Sequence, residues 1–124
     1  MAQVTISDAE WQVMNLLWER EPLAAQDVID AVAEPNGWSP STVKTMLHRL
    51  VKKGVLTFDK SGKSYVYRSC VARTDCVQNE SQSFLQRVFE GEHANLVAYF
   101  LRDTQFNADE IAELRRILDE QEAQ

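Results

Sequence analysis

The sequence predicts a mainly α-helical chain in which three helices and a two-stranded hairpin, the order of a winged helix-turn-helix, precede a purely helical segment. Two observations predict this class. Apolar residues recur at helical spacing along most of the 124 residues, and alternating spacing interrupts them only over residues 55–69. A third observation points to a charged surface, because the positive charge of a chain with net charge −6 is concentrated in residues 39–69.

The first predicted helix covers about residues 7–19. Ser7-Asp8-Ala9-Glu10 has the spacing of a capping box. In this motif the side chain of the first residue accepts a hydrogen bond from the backbone amide of the last, and the side chain of the last accepts one from the amide of the first. The apolar positions that follow at helical spacing are Trp11, Met14, Leu17 and Trp18. Glu21-Pro22 is predicted to end the helix, because proline cannot continue it.

The second predicted helix runs from Ala24 to Ala33, with Val28, Ile29 and Val32 on one side. Glu34-Pro35-Asn36-Gly37 after it is interpreted as a turn, because proline and Asn-Gly are typical of turns.

The third predicted helix, residues 40–53, has well-defined ends and two unlike faces. Ser39 supplies an N-cap, Pro40 the first helical position and Gly54 the stop. The apolar stripe consists of Val43, Met46, Leu47, Leu50 and Val51, and the opposite face of Ser41, Lys44, Thr45, His48 and Lys52. An ordinary solvated helix mixes acids with bases, but residues 39–54 contain no acid.

The hairpin is predicted over residues 55–69, with a turn at Lys60-Ser61-Gly62-Lys63. Leu56 and Phe58 alternate with polar residues before the turn, and Tyr65 and Tyr67 alternate with other residues after it. In a winged helix-turn-helix the third helix enters the DNA major groove and the hairpin lies along the backbone. Residues 1–71 are therefore predicted to be a DNA-binding domain.

The charge distribution supports a polyanionic partner. Residues 39–69 carry net charge +6, and residues 1–38 and 70–124 carry −6 each. The predicted base contacts are Ser41, Lys44, Thr45 and His48. The predicted phosphate contacts are Thr42, Arg49, Lys52, Lys53, Lys60, Lys63 and Arg68. Charge alone fits equally well a basic block that neutralises the acidic flanks within the fold.

Residues 72–124 are predicted to form a helical dimerisation domain. One helix ends near Gly91, a second contains Leu96 to Leu101, and a third is capped by Asn107 with Glu110 at the capping-box position. Such short helices cannot bury all their large apolar residues within about 50 residues, so burial against a second copy is expected. The predicted contacts are Leu96, Phe100, Ile111, Leu114 and Leu118. The alternative is that these helices pack back on residues 1–69.

Over nearly its full length the chain resembles the BlaI/MecI/CopY group of bacterial transcriptional repressors, the penicillinase repressor type. The matching stretches are IS-AEW-VM-LLW in residues 6–18, WSPSTVKTMLHRLVKKG in 38–54, the two tyrosines at 65 and 67, SFLQRVF-G in 83–91 and DEIAELRRIL in 109–118. The resemblance implies a homodimer bound to a palindromic operator. It also implies repression of genes for β-lactam resistance or for stress and metal responses, relieved by proteolysis or metal.

Two departures from the family pattern limit what the resemblance implies. The copper-responsive members end in paired Cys-x-Cys motifs, whereas this chain has no cysteine after Cys76, so copper sensing by that device is not expected. In the penicillinase members a regulatory protease cuts an Asn-Phe bond in the fifth helix. The matching position is Tyr99-Phe100, where the phenylalanine is kept and a tyrosine replaces the asparagine. These two residues are the candidate cleavage site.

The sequence contains few features of an enzyme, a metalloprotein or a membrane protein. The sequence contains no Gly-rich phosphate loop, HExxH or GxSxG motif, so no enzyme and no cofactor are expected. Cys70 and Cys76 lack a standard zinc spacing, and no metal site is expected. No apolar run approaches the ~20 residues of a membrane span, and a cytoplasmic protein is expected. The main rival is a winged helix used for protein–protein contact, which would tolerate acids on helix 3 and need no basic wing tip.

Overall fold

The computed structural model describes residues 5–124, apart from the side chain of Ser61; the first four residues of the predicted domain 1–71 lie outside this range. The elements are α1 (Asp8–Arg20), β1 (Leu23–Ala24), α2 (Ala25–Asn36), α3 (Pro40–Lys52), β2 (Leu56–Ser61), β3 (Ser64–Ser69), α4 (Arg73–Phe89), α5 (His93–Asp103) and α6 (Ala108–Glu122). The predicted mainly α, winged helix-turn-helix fold is confirmed. The chain divides into two compact units between Ser81 and Gln82, inside α4.

Helix α1 begins as the sequence predicts. The Glu10 amide donates to the Ser7 hydroxyl at 3.2 Å, and the Ser7 amide donates to Glu10 Oε1 at 2.9 Å. Val13, Met14 and Leu17 are buried on its inner side. The capping box thus sets the start of α1, and the apolar spacing sets the face that it buries.

The predicted turn at Glu34–Gly37 is wrong, because α2 continues through Pro35 to Asn36. Gly37 has the left-handed φ of 68° that ends a helix, and its amide reaches the Glu34 carbonyl at 3.1 Å. The Trp38 amide donates to the Ala33 carbonyl at 2.8 Å, and the Asn36 side-chain amide donates to the Val32 carbonyl at 2.8 Å. The last carbonyls therefore find partners, which supports a final turn containing proline.

The wing is a three-stranded antiparallel sheet in the order β1-β3-β2. In the hairpin, residues 56–61 pair with residues 69–64, from Leu56 opposite Ser69 to Ser61 opposite Ser64. The hairpin is confirmed, with a tighter turn than predicted: only Gly62 and Lys63 connect the strands, and Gly62 has a φ of 63°. Strand β1, which the sequence analysis did not predict, places Leu23 opposite Tyr67.

The core of the first unit lies between the three helices and the base of the wing. Four residues of the predicted α3 stripe (Val43, Met46, Leu47 and Leu50) are at most 4% exposed, and the fifth, Val51, is half-buried. Val55 and Leu56 continue this core into β2. Because these residues anchor its inner side, α3 presents its other side to solvent.

The second unit contains the end of α4 with α5 and α6. The predicted cap of α6 is confirmed, since the Glu110 amide donates to Asn107 Oδ1 at 2.8 Å and the Asn107 amide to Glu110 Oε1 at 3.0 Å. Neither α5 nor α6 has a buried residue. The exposed large apolar side chains of these helices are Val97, Tyr99, Phe100, Leu101, Ile111, Ile117 and Leu118.

Candidate nucleic-acid interface

The exposed side of α3 carries the four predicted base contacts together. Ser41, Lys44, Thr45 and His48 are all exposed, opposite the buried stripe. The Thr45 hydroxyl donates to the Ser41 carbonyl at 2.9 Å, which holds this side chain against the helix. Lys44 and His48 are the two members that can become charged donors, so they define the chemistry of this face.

The N-terminus of α3 is a cluster of hydroxyl groups. Ser39 Oγ accepts from the Thr42 amide at 3.2 Å and lies 3.1 Å from Ser41 Oγ and 2.9 Å from Thr42 Oγ1. The first turn of α3 holds no acid. The positive end of the helix dipole is therefore not offset there, and such an end attracts phosphate.

At the other end of α3 the basic residues differ in their surroundings. Arg49 and Lys52 are exposed. Lys53 Nζ donates to Glu10 Oε1 at 2.5 Å and to the Thr5 carbonyl at 2.8 Å, and Glu10 is only 2% exposed. Lys53 thus joins the end of α3 to the start of α1, and its contact with phosphate stays a prediction.

The Glu10–Lys53 pair makes stability depend on pH. Burial by itself raises the pKa of Glu10, but hydrogen bonds from Lys53 and Ser7 and the Lys53 charge outweigh it, so the pKa lies below the ordinary 4.5. Because the folded-state pKa is depressed, the pair stabilises the fold above about pH 4.5. That stabilisation is lost as the pH falls through the folded-state value.

We expect Glu10→Gln to lower the free energy of unfolding by roughly 1–3 kcal/mol near neutral pH, because it leaves Lys53 without its carboxylate. The difference from wild type should shrink well below pH ~4.5, where Glu10 itself becomes neutral. Urea unfolding at several pH values measures this. Glu113→Gln is the matched control, because Glu113 pairs with Arg116 on the surface. A wild-type–Glu10→Gln difference that does not change with pH would contradict the assignment.

The wing supplies the remaining predicted cations. Lys60, Lys63 and Arg68 are exposed, and Lys63 lies in the two-residue turn. Arg68 Nη2 lies 2.7 Å from Asp59 Oδ2, and both side chains are largely exposed. Asp59 is the only acid of residues 39–69, so this pair leaves the wing positive.

Two contacts that position the wing were missed by the sequence analysis. Glu21 Oε1 accepts from the Ser69 amide at 3.1 Å, and Oε2 accepts from the Ser69 hydroxyl at 2.7 Å. The Trp18 indole donates to the Val71 carbonyl at 3.1 Å. These contacts join the last turn of α1 and the residue that follows it to the end of the hairpin, across about 50 residues of chain. No local pattern predicts such pairings.

The predicted dimer residues lie on α5 and α6 of the second unit. Leu96 and Leu114 are half-buried, while Phe100, Ile111 and Leu118 are 46%, 39% and 55% exposed. Tyr99 and Phe100, the candidate cleavage site, are exposed within α5. Cleavage there requires local unwinding, because a protease binds its substrate as an extended strand.

The two cysteines lie in different environments. Cys70 is exposed at the end of the wing and Cys76 is buried in α4. Burial, with the nearby Asp75 charge, raises the pKa of the Cys76 thiol. Within residues 5–124 no group of three or more His, Cys, Asp or Glu side chains is arranged to hold a metal. No helix in this range is long and apolar enough to cross a bilayer.

The fold and the acid-free face of α3 together define a winged helix-turn-helix protein with a cationic third helix. The model of the penicillinase repressor family matches residues 6–120. This chain belongs to that family, as its sequence motifs predict.

Two relatives are similar in sequence to this chain over most of its length and of their own. The penicillinase repressor of Bacillus licheniformis is 39% identical over 115 residues, which are 93% of this chain and 90% of the relative. The methicillin resistance regulatory protein MecI of Staphylococcus aureus (strain N315) is 37% identical over 113 residues, 91% of this chain and 92% of the relative.

Two solved structures of BlaI are similar to part of this chain. The solution structure of the DNA-binding domain of the repressor BlaI is 38% identical and covers 60% of this chain and 93% of its own, with a TM-score of 0.55. The monomeric form of Bacillus licheniformis BlaI in complex with the blaP half-operator matches with the same identity and coverage and a TM-score of 0.53.

Proposed function

We propose that this chain is a homodimeric transcriptional repressor that binds a palindromic DNA operator with one α3 in each half-site. The observation that carries the proposal is the exposed face of α3, which holds hydroxyls, Lys44 and His48 and no acid. Such a face offers donors to base edges and phosphates, while its buried stripe fixes the orientation of the helix.

Contacts divide into two sets under this proposal. Base edges are read by Ser41, Lys44, Thr45 and His48. Phosphates are bound by Thr42, Arg49, Lys52, Lys53, Lys60, Lys63 and Arg68. Lys44 is the main base reader, because a lysine can donate to both O6 and N7 of guanine in the major groove.

The relatives indicate the class of genes. The matching proteins are named for penicillinase and methicillin resistance, and the BlaI structure is a complex with a half-operator. Genes for β-lactam resistance are therefore the proposed targets, ahead of stress or metal-response genes.

Derepression is proposed to occur through loss of the dimer. One winged helix covers a half-site and binds it weakly, whereas two joined protomers gain an effective-concentration advantage of up to ~10²–10⁴. A cut between Tyr99 and Phe100 would separate Phe100 and the whole of α6 from the DNA-binding unit. Separating the protomers thus ends repression without any change at α3.

Immunoblots of the protein in cells exposed to an inducing β-lactam test the cleavage step. The proposal expects a shortened N-terminal fragment of about 99 residues to appear before the target genes are switched on. Target genes that switch on while all of the protein stays full length would contradict cleavage and point to a bound effector.

The rival function is a winged helix that contacts another protein and has no affinity for DNA. A band shift with random-sequence duplex at low and moderate salt separates the two classes. The proposed repressor should bind at low salt and lose affinity steeply as salt rises, because its cations displace counterions from DNA. No binding at low salt would favour the rival.

Lys63→Gln should lower the slope of log affinity against log salt by about one, because one phosphate contact is lost. The measurement is a salt titration of binding to a single duplex. Arg102→Gln is a suitable control, because Arg102 is an exposed cation of α5 in the second unit. An unchanged slope for Lys63→Gln would remove this residue from the phosphate contacts.

A further inference from the structure

A short connection, residues 70–72, leads from β3 into α4, and each of its residues is held by a hydrogen bond. The Cys70 amide donates to the Val55 carbonyl at 3.0 Å, and the Val71 carbonyl accepts from the Trp18 indole at 3.1 Å. The Ala72 carbonyl accepts from two amides in the first turn of α4, at 3.2 and 3.3 Å. The connection also contains neither glycine nor proline. It therefore lacks the usual features of a flexible joint.

Helix α1 and the residue that follows it hold this part of the chain along one side. The contacts join three pairs of residues: Glu21 and Ser69, Trp18 and Val71, and Asn15 and Arg73. Their spacing is regular, with three residues between contacts on the α1 side and two on the other. The chain after β3 therefore runs antiparallel to α1 as far as the first residue of α4. We name these three pairs the α1 clamp.

The outermost pair of the α1 clamp differs from the other two. Trp18 and Val71 pack against the core of the first unit, and Glu21 binds the end of β3 in a partly buried contact. Arg73 Nε donates to Asn15 Oδ1 at 3.3 Å, and both side chains are exposed, so this contact adds only modestly to stability. Together with Trp18–Val71, however, it holds the start of α4 at two points. Two points fix the direction of this first turn as well as its position.

The direction in which α4 begins matters because a dimer has to place two α3 helices on one duplex. Each base pair added between two half-sites moves them apart by about 3.4 Å and rotates one about the DNA axis by about 35°. A dimer can follow such a change only by bending somewhere between its dimer contacts and its DNA-binding units. Helix α4 is the element that leads out of the DNA-binding unit. A fixed start of α4 therefore opposes every spacing except the one that it fits.

We infer that the Asn15–Arg73 and Trp18–Val71 contacts select the spacing between the half-sites of the operator, by holding the start of α4 in one direction. This inference rests on the proposed function. An operator with another spacing can be bound only after these contacts break, so the free energy of breaking them is the selectivity that they confer. One ordinary hydrogen bond corresponds to a roughly fivefold preference for each contact that breaks.

The test uses the full chain and the inverted repeat that it selects from random DNA, with one or two base pairs added to or removed from the centre. Asn15→Ala removes the acceptor of one contact, and Trp18→Phe removes the donor of the other while keeping an aromatic ring. Each should reduce the preference for the selected spacing over the altered ones by roughly fivefold, and the double variant by more than either. Affinity for one isolated half-site should stay as in wild type, because neither residue lies on α3.

Two variants serve as controls on the same helix. Asn15→Asp keeps an acceptor for Arg73 and should keep the wild-type preference; the charge that it adds weakens binding to every spacing alike and cancels in the ratio. Gln12→Ala changes an exposed residue one turn earlier in α1 and should also leave the preference unchanged. Thermal unfolding identifies loss of the fold. If Trp18→Phe does not fold, Asn15→Ala decides, because its contact lies on the surface.

Failure of this inference and failure of the proposed function give different results. If wild type prefers one spacing and Asn15→Ala keeps that preference in full, the α1 clamp does not select spacing, and the proposed function stands. Equal affinity of wild type for all the spacings would overturn the inference in the same way. So would an Asn15→Ala protein that loses as much affinity for one half-site as for the full operator. If wild-type protein binds no duplex at low salt, the proposed function fails and this inference fails with it.

Discussion

Replacing Leu114 by aspartate should convert the proposed dimer to a monomer and weaken binding to the proposed palindromic operator by ~10²–10⁴, the advantage that joined half-sites confer. Leu114 lies half-buried on α6, between the exposed Ile111 and Leu118. A carboxylate placed there would have to be desolvated in the interface without a partner, which is costly. The first unit contains none of these residues and should keep its fold.

Sedimentation measures the change in mass, and binding to a single half-site measures what remains of DNA recognition. Ala112→Asp is the matched control, because it adds the same charge to α6 away from the apolar stripe and should leave the dimer intact. Half-site affinity should be equal in wild type and in both variants. A Leu114→Asp protein that sediments as a dimer, or a wild-type protein that is monomeric at micromolar concentration, would contradict the proposed dimer.

Lys44→Ala should weaken binding to the cognate operator by roughly 1–3 kcal/mol and reduce discrimination against scrambled DNA. Lys44 lies in the middle of the exposed face of α3, one turn before His48, where a side chain can reach a base edge in the major groove. Loss of a base contact affects the cognate sequence more than others, because only that sequence offers the matching acceptors.

Lys52→Ala is the informative comparison, because Lys52 is an exposed lysine in the last turn of the same helix. It should weaken binding to cognate and scrambled duplexes by similar factors, as expected of a phosphate contact. Affinities for the two duplexes, measured at one salt concentration, separate the roles. Equal losses on both duplexes for Lys44→Ala would make Lys44 a phosphate contact as well.

Features that rest on local spacing could be predicted from the sequence. The capping boxes at Ser7 and Asn107 depend on side chains three residues apart, and the two faces of α3 depend on its apolar period. The same reasoning failed at Pro35, where Gly37 and the Trp38 amide allow α2 one more turn. The local pattern there is typical of both a turn and a helix end.

Features that join distant parts of the chain could not be predicted. Strand β1 is two residues long and exists only through its pairing with β3. Lys53 resembles its neighbour Lys52 in the sequence, and only the fold places it against Glu10, 43 residues away. The Glu21–Ser69 contact likewise depends on how the hairpin returns to α1. The sequence alone therefore does not show that Lys53 is paired with a buried carboxylate.

Selection of DNA from a random-sequence duplex library by the purified full chain, followed by sequencing, determines whether this protein binds an operator with two-fold symmetry. We expect enrichment of an inverted repeat whose half-site centres are separated by about one DNA turn or a multiple of it. Each half-site reflects one α3, and the symmetry reflects the dimer. Recovery of sequences with no common motif, or of a motif without two-fold symmetry, would contradict a dimeric operator-binding repressor.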